Sequence, residues 1–148
     1  MSTYTQILYQ IVFSTKGRER TLTKKNRPDL FRYIWGILNK KKCHLYRING
    51  VEDHLHIVTH IHPTIAPAYL VKDIKLASSG FIKEKKLFDN FDGWQVGYGA
   101  FTYSFSAKND LIEYVKNQEE HHKTVTYREE LIALLKEHGV EYNEKYLE

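Results

Sequence analysis

In the stretch EDHLHIVTHIHP, residues 52–63, four histidines alternate with apolar or small residues. On a β-strand successive side chains point to opposite faces. His54, His56, Val58, His60 and His62 therefore share one side, and Leu55, Ile57, Thr59 and Ile61 share the other. The second set suits a core, and the first suits something polar. Imidazoles two residues apart lie about 7 Å from each other along one face, near enough to converge on a single metal ion. Spacing alone does not choose between His54/His56 and His60/His62, and histidines on a half-solvated sheet are common without an ion.

Further donors come from YVKNQEEHH, residues 114–122. Tyr114 and Gln118 are i and i+4, hence neighbours on one helical face, beside an apolar seam of Leu111 and Val115. His121 and His122 follow one to two turns later. Judged locally, a tyrosine at the edge of such a seam is packing and its glutamine neighbour faces water.

These residues need elements to position them. Gln6–Ser14 is rich in β-branched and aromatic residues and predicts a strand. Apolar positions at helical spacing predict a helix from about Asn26 to Lys41, with Leu30, Ile34 and Leu38 facing the core. Residues 43–50 read as a second strand, with a turn at Asn49-Gly50 before the histidine strand. Thr64 is the expected cap of a helix running to about Lys86. Residues 94–105 read as a strand interrupted by Gly97 and Gly99, a pattern that marks a bulge or a close backbone approach. Ser106 is the expected cap of a helix over residues 107–122, and Thr126 with Glu129 forms a capping box for a last helix ending near Gly139. The order β-α-β-β-α-β followed by helices predicts an α+β, ferredoxin-like antiparallel sheet. Residues 1–148 are expected to form one domain, with a C-terminal helical extension over about 107–148.

Composition is that of an ordinary globular chain, 42% hydrophobic and 27% charged. The single cysteine, Cys43, excludes an internal disulfide, and no run approaches a membrane span, so the cytoplasm is the expected compartment. The net charge of +4 is concentrated in clusters at Lys16–Arg27, Lys40–Lys42 and Lys83–Lys86, which would attract a phosphate-rich partner, although taken alone such runs are more often a solvated surface.

Taken end to end, LYQIVFSTKGRE, GVEDHLHIV, VKDIKLASSGFI, WQVGYGAF, YVKNQEEHH and ELIALLKEHGVEY resemble the single-tyrosine HUH transposases of small bacterial insertion sequences, the insertion-sequence-200-like family. The resemblance implies that His54 and His56 hold a metal ion, that Gln118 is the third protein ligand and that Tyr114 is the nucleophile. His60 and His62 fall outside the motif, although they repeat its spacing. It implies magnesium or manganese as the ion, hairpin or single-stranded DNA as the partner, and a homodimer whose sites are completed in trans. The implied reaction cuts and rejoins single-stranded DNA through a 5′-phosphotyrosine. Two other readings remain at this point: a domesticated hairpin-binding protein that no longer cleaves, and a zinc hydrolase built on His60 and His62.

Overall fold

The computed structural model of the chain describes residues 2–147. Four strands, β1 (Leu8–Ser14), β2 (Leu45–Gly50), β3 (His54–His60) and β4 (Gly99–Tyr103), form one antiparallel sheet in the order β2-β3-β1-β4. Two helices, α1 (Arg27–Lys40) and α2 (Pro67–Lys85), make the crossovers. The architecture is the α+β, ferredoxin-like plan expected from the order of elements.

Alternation along β1 and β3 divides the interior in two. Ile11, Phe13, Leu55 and Ile57 point toward Leu30, Ile34, Leu38, Leu70 and Ile74 of α1 and α2, forming the larger core. The opposite side chains, Leu8, Val12 and Val58, meet a second helical layer, α3 (Lys108–Lys116), α4 (Gln118–His121) and α5 (Tyr127–Glu137). The histidine face is therefore not half-solvated, as the sequence suggested. Residues 105–147 lie across it, and His54 and His56 are fully buried.

Several boundaries differ from expectation. Asn49 and Gly50 remain in β2, paired with His56 and Leu55, and the turn is formed by residues 51–53, closed by the Val51 N–H donating to the His54 carbonyl at 3.1 Å. Gly50 is required there by contact: a Cβ would stand 2.4 Å from the His54 carbonyl oxygen. Asn49 Nδ2 instead donates to the Val115 and Lys116 carbonyls at 3.1 and 3.0 Å, satisfying the end of α3. The helix expected over 107–122 breaks at Asn117, and its N-cap is Ala107 rather than Ser106. Thr64 does not cap α2, which starts at Pro67 after Ala66; its hydroxyl pairs with His62 Nδ1 at 2.7 Å. By contrast, the Thr126–Glu129 capping box is present at α5, and Gly139 past the helix end has φ 65°. The close approach expected of the strand glycines is found at Gly99, where a Cβ would come within 2.8 Å of Val12. No helix among the described residues is long and apolar enough to cross a membrane.

Candidate active site

Strand β3 projects His54 and His56 from the same face because they are two residues apart, and the helical layer closes over them. Helix α5 enters directly above. Its capping box fixes its first turn, and Tyr127, Glu130 and Leu134 recur at helical spacing on the face that packs down on the sheet. Glu130 is thus a carboxylate on an otherwise apolar stripe, buried at 3% exposure. Burying such a charge is costly unless partners compensate it, and here they surround it.

Glu130 Oε1 lies 2.8 Å from His56 Nε2, 3.3 Å from His54 Nε2 and 3.0 Å from His122 Nε2. His54 Nε2 and His122 Nε2 are themselves 3.0 Å apart. The other carboxylate oxygen, Oε2, accepts a short hydrogen bond from the Tyr114 hydroxyl, a bond from Gln118 Nε2 at 3.2 Å, and faces His121 Nε2 at 3.2 Å. His54, His56, His122 and Glu130 offer ligand atoms all within 4.8 Å of one another, and could hold a metal ion.

The titrations follow from these contacts. Burial alone would raise the Glu130 pKa, but hydrogen bonds from His122, His54 and His56 outweigh it and hold the carboxyl well below its usual range. Burial pushes His56 down to about 4 against the pull of Glu130. His54 is raised despite its burial, because Asp53 and Glu130 both favour the imidazolium. Asp53 is lowered in return, its partner His54 outweighing desolvation. The Tyr114 hydroxyl is pushed upward, first by burial and then by the Glu130 charge, so the phenol keeps its proton in this arrangement.

Of the residues singled out in the sequence, His54, His56, Tyr114 and Gln118 all come together at Glu130. Gln118 reaches the imidazoles only through that carboxylate, and its own Oε1 is buried with no hydrogen-bond partner. His60 and His62 stand apart: His60 Nδ1 accepts from the Ile7 N–H at 3.2 Å, and His62 pairs with Thr64. Tyr127 is buried against the His54 ring, 4.5 Å between centroids. Glu130 is the residue that sequence reasoning missed. A carboxylate on the buried stripe of an amphipathic helix was the signal that could have found it.

Two cavities flank the cluster. One, of about 480 Å³, is lined by Arg20, Lys24, Arg27 and Lys123 together with Glu52 and Glu119, and reaches Asp53 and His122. The other, of about 540 Å³, opens on Tyr114 and is lined by Gln10, Tyr103, Glu129, Glu130 and Glu137. The first basic segment of the sequence is less free than its composition implied. Arg27 is buried and bonded to Glu119 at 3.2 Å and to the Leu22 carbonyl at 2.9 Å, while Arg20 pairs with Glu52 and Lys24 with Glu119, each at 3.0 Å.

Comparison with known proteins shows what the chain and its fold are similar to. The family described as "Transposase IS200 like" matches residues 3–118. A candidate transposase from Deinococcus radiodurans R1 is 22% identical, covers 80% of this chain and 95% of its own, and superposes with a TM-score of 0.60. A REP-associated tyrosine transposase bound to a REP hairpin is 13% identical, with coverage of 84% and 76% and a TM-score of 0.63. No curated protein matches the chain.

Proposed function

The chain belongs to the IS200-like transposase family, and from that premise we propose that it cuts and rejoins single-stranded DNA through a covalent bond to Tyr114. One observation carries the reading: the Tyr114 hydroxyl and the His54 and His56 imidazoles meet through a single buried carboxylate. A nucleophile and a metal-ligand pair have been delivered to one place by separate elements.

In this reading the Tyr114 oxygen attacks a backbone phosphate. A bond forms from that oxygen to phosphorus, the bond to the 3′ oxygen breaks, and the departing oxygen takes up a proton. A phenol is a better leaving group than an alkoxide, so a later 3′-hydroxyl can reverse the step and join a new strand without an energy source. The raised Tyr114 pKa means that the resting site keeps its nucleophile protonated. Glu130, whose Oε1 stands 2.8 Å from His56 Nε2, also occupies the place a phosphate oxygen would take. Both facts require Glu130 to give way as substrate enters, and in this reading the phosphate enters by the cavity that carries Arg20, Lys24, Arg27 and Lys123, where the DNA backbone would replace their ion pairs with Glu52, Glu119 and Glu120.

His54 and His56 would hold the ion, magnesium or manganese in this family reading. Their neutral imidazoles leave its charge undiminished, and the unpartnered Gln118 Oε1 is an amide oxygen suited to a third bond. When bound, the ion would polarise the phosphate and stabilise charge on the departing oxygen. Hairpin DNA is the substrate we infer, as for the relative whose structure holds a REP hairpin.

The active assembly in this reading is a homodimer whose sites are completed in trans by exchange of α3–α5, whereas within the single chain Tyr114 meets that chain's own imidazoles through Glu130. Mixing Tyr114→Phe with His54→Ala chains restores cleavage where helices exchange. Lack of restoration would remove the exchange and leave the site in cis. The test of the reaction itself is nicking of hairpin-bearing single-stranded DNA with magnesium or manganese. Loss of nicking is expected in His54→Ala and His56→Ala. Tight hairpin binding with no nicking in either metal would contradict strand transfer and leave a binding protein.

A further inference from the structure

The three imidazoles of the cluster share an orientation that hydrogen bonding to Glu130 does not require. His54 Nδ1 faces Asp53 Oδ1 at 2.7 Å, His56 Nδ1 faces Gln10 Oε1 at 2.7 Å, and His122 Nδ1 faces the Val125 carbonyl oxygen at 2.5 Å. Carboxylate and carbonyl oxygens only accept, so each Nδ1 has an outward acceptor for the proton it must carry when Nε2 gives its lone pair to an ion. Gln10 is itself held, its Nε2 donating to the Tyr103 hydroxyl at 2.8 Å. Each ring is thereby pinned with Nε2 turned inward, the arrangement in which histidines present a lone pair to a metal ion.

The inward atoms lie close enough for one ion. Nitrogen and oxygen ligands of a four-coordinate ion with bonds of about 2.0–2.1 Å sit about 3.3 Å from one another. Four of the six pairs among His54, His56, His122 and Glu130 stand at 2.8, 3.0, 3.0 and 3.3 Å, and the two between His56 and the other imidazoles lie within 4.8 Å. Three imidazoles and one carboxylate are a donor set for zinc and its neighbours, whereas magnesium calls for six oxygens. His122 and Glu130 also lie beyond residue 118, where the family match ends.

We propose that His122 and Glu130 complete, with His54 and His56, a four-donor site for a zinc-class ion that fastens α4 and α5 to β3. The proposal rests on the reading of His54 and His56 as metal ligands. Four protein donors leave no position for a phosphate, and Glu130 Oε2 meanwhile retains the Tyr114 hydroxyl. The zinc form is thus the closed form of the site, distinct from the open set of His54, His56 and Gln118 that strand transfer uses.

The test titrates the metal-free full chain with zinc and with cobalt(II). One equivalent of zinc is expected, not displaced by excess magnesium, and bound cobalt shows the intense visible absorption of a four-coordinate ion. His122→Ala and Glu130→Gln are each expected to weaken zinc binding by at least about tenfold, while His62→Ala leaves it unchanged. A weak six-coordinate cobalt spectrum, or unaltered zinc affinity in both variants, overturns the proposal. Glu130→Gln conserves shape and the cobalt spectrum needs no variant, so misfolding of His122→Ala would not spoil the test. A chain that binds zinc in this way but never nicks DNA keeps the site and loses the strand-transfer reading. A chain that nicks DNA, with zinc affinity unaltered in both variants, keeps that reading and loses the site.

Discussion

At the scale of single residues, Glu130 organises the site. It is a buried anion with six side chains on it, so removing it takes from His54, His56 and His122 the carboxylate oxygen they share. Breaking a buried pair from one side typically costs about 3–5 kcal/mol. Glu130→Ala should therefore destabilise the metal-free chain by about that much in a denaturant titration, and Glu130→Gln by less. His56 adds a pH dependence. Its folded pKa is depressed to about 4 from an ordinary 6.5, so between those values the unfolded chain binds a proton that the folded chain refuses. Stability of the metal-free protein should fall as pH drops through that window, and His56→Gln should flatten the fall. His54, which is raised, works in the opposite sense: its contribution is complete below pH 6.5 and fades as pH rises through its folded value. The period of two placed four histidines on one strand face, and the family resemblance then singled out His54 and His56. His122 was not singled out, because the helix breaks at Asn117 and periodicity no longer says where the next turn points.

At the scale of elements, two short-range devices aim the long-range site. Thr126 and Glu129 set the first turn of α5 and so the height at which Glu130 meets the imidazoles. Thr126→Ala should cost about 1 kcal/mol in thermal unfolding, and it should weaken metal binding more than an exposed substitution at α1 does. Asn49 joins β2 to the end of α3 through two carbonyls. Asn49→Ala should raise amide exchange across residues 114–118 while leaving β1 protected. The capping box was legible because its spacing is its geometry. The role of Asn49 was not, since Asn-Gly is also a common turn, and only the packing of α3 against β2 reveals the alternative use. Thr64 failed as a cap for a similar reason: Pro67 can begin α2 without it, and His62 takes its hydroxyl.

At the scale of the molecule, strand order was legible because each crossover is a single helix of suitable length and the apolar faces alternate cleanly. The cover over the histidine face was harder to foresee. Nothing in β3 itself states that Leu111, Val115, Leu134 and Leu135 will roof it, and a polar-looking strand face reads as solvated until they do. That roof turns two ordinary histidines into a buried site flanked by a cavity bearing Arg20, Lys24, Arg27 and Lys123 on one side and one bearing Glu129 and Glu137 on the other. Affinity for single-stranded DNA should fall as salt rises, and Lys24→Ala should reduce the slope of that dependence by about one. The central claim, a covalent link between DNA and Tyr114, is tested most directly by trapping the chain with a single-stranded hairpin substrate and locating the attached nucleotide by peptide mass spectrometry. The account requires the adduct on the peptide that contains Tyr114 and its absence from Tyr114→Phe; an adduct on Tyr127, or one that survives that substitution, would contradict it.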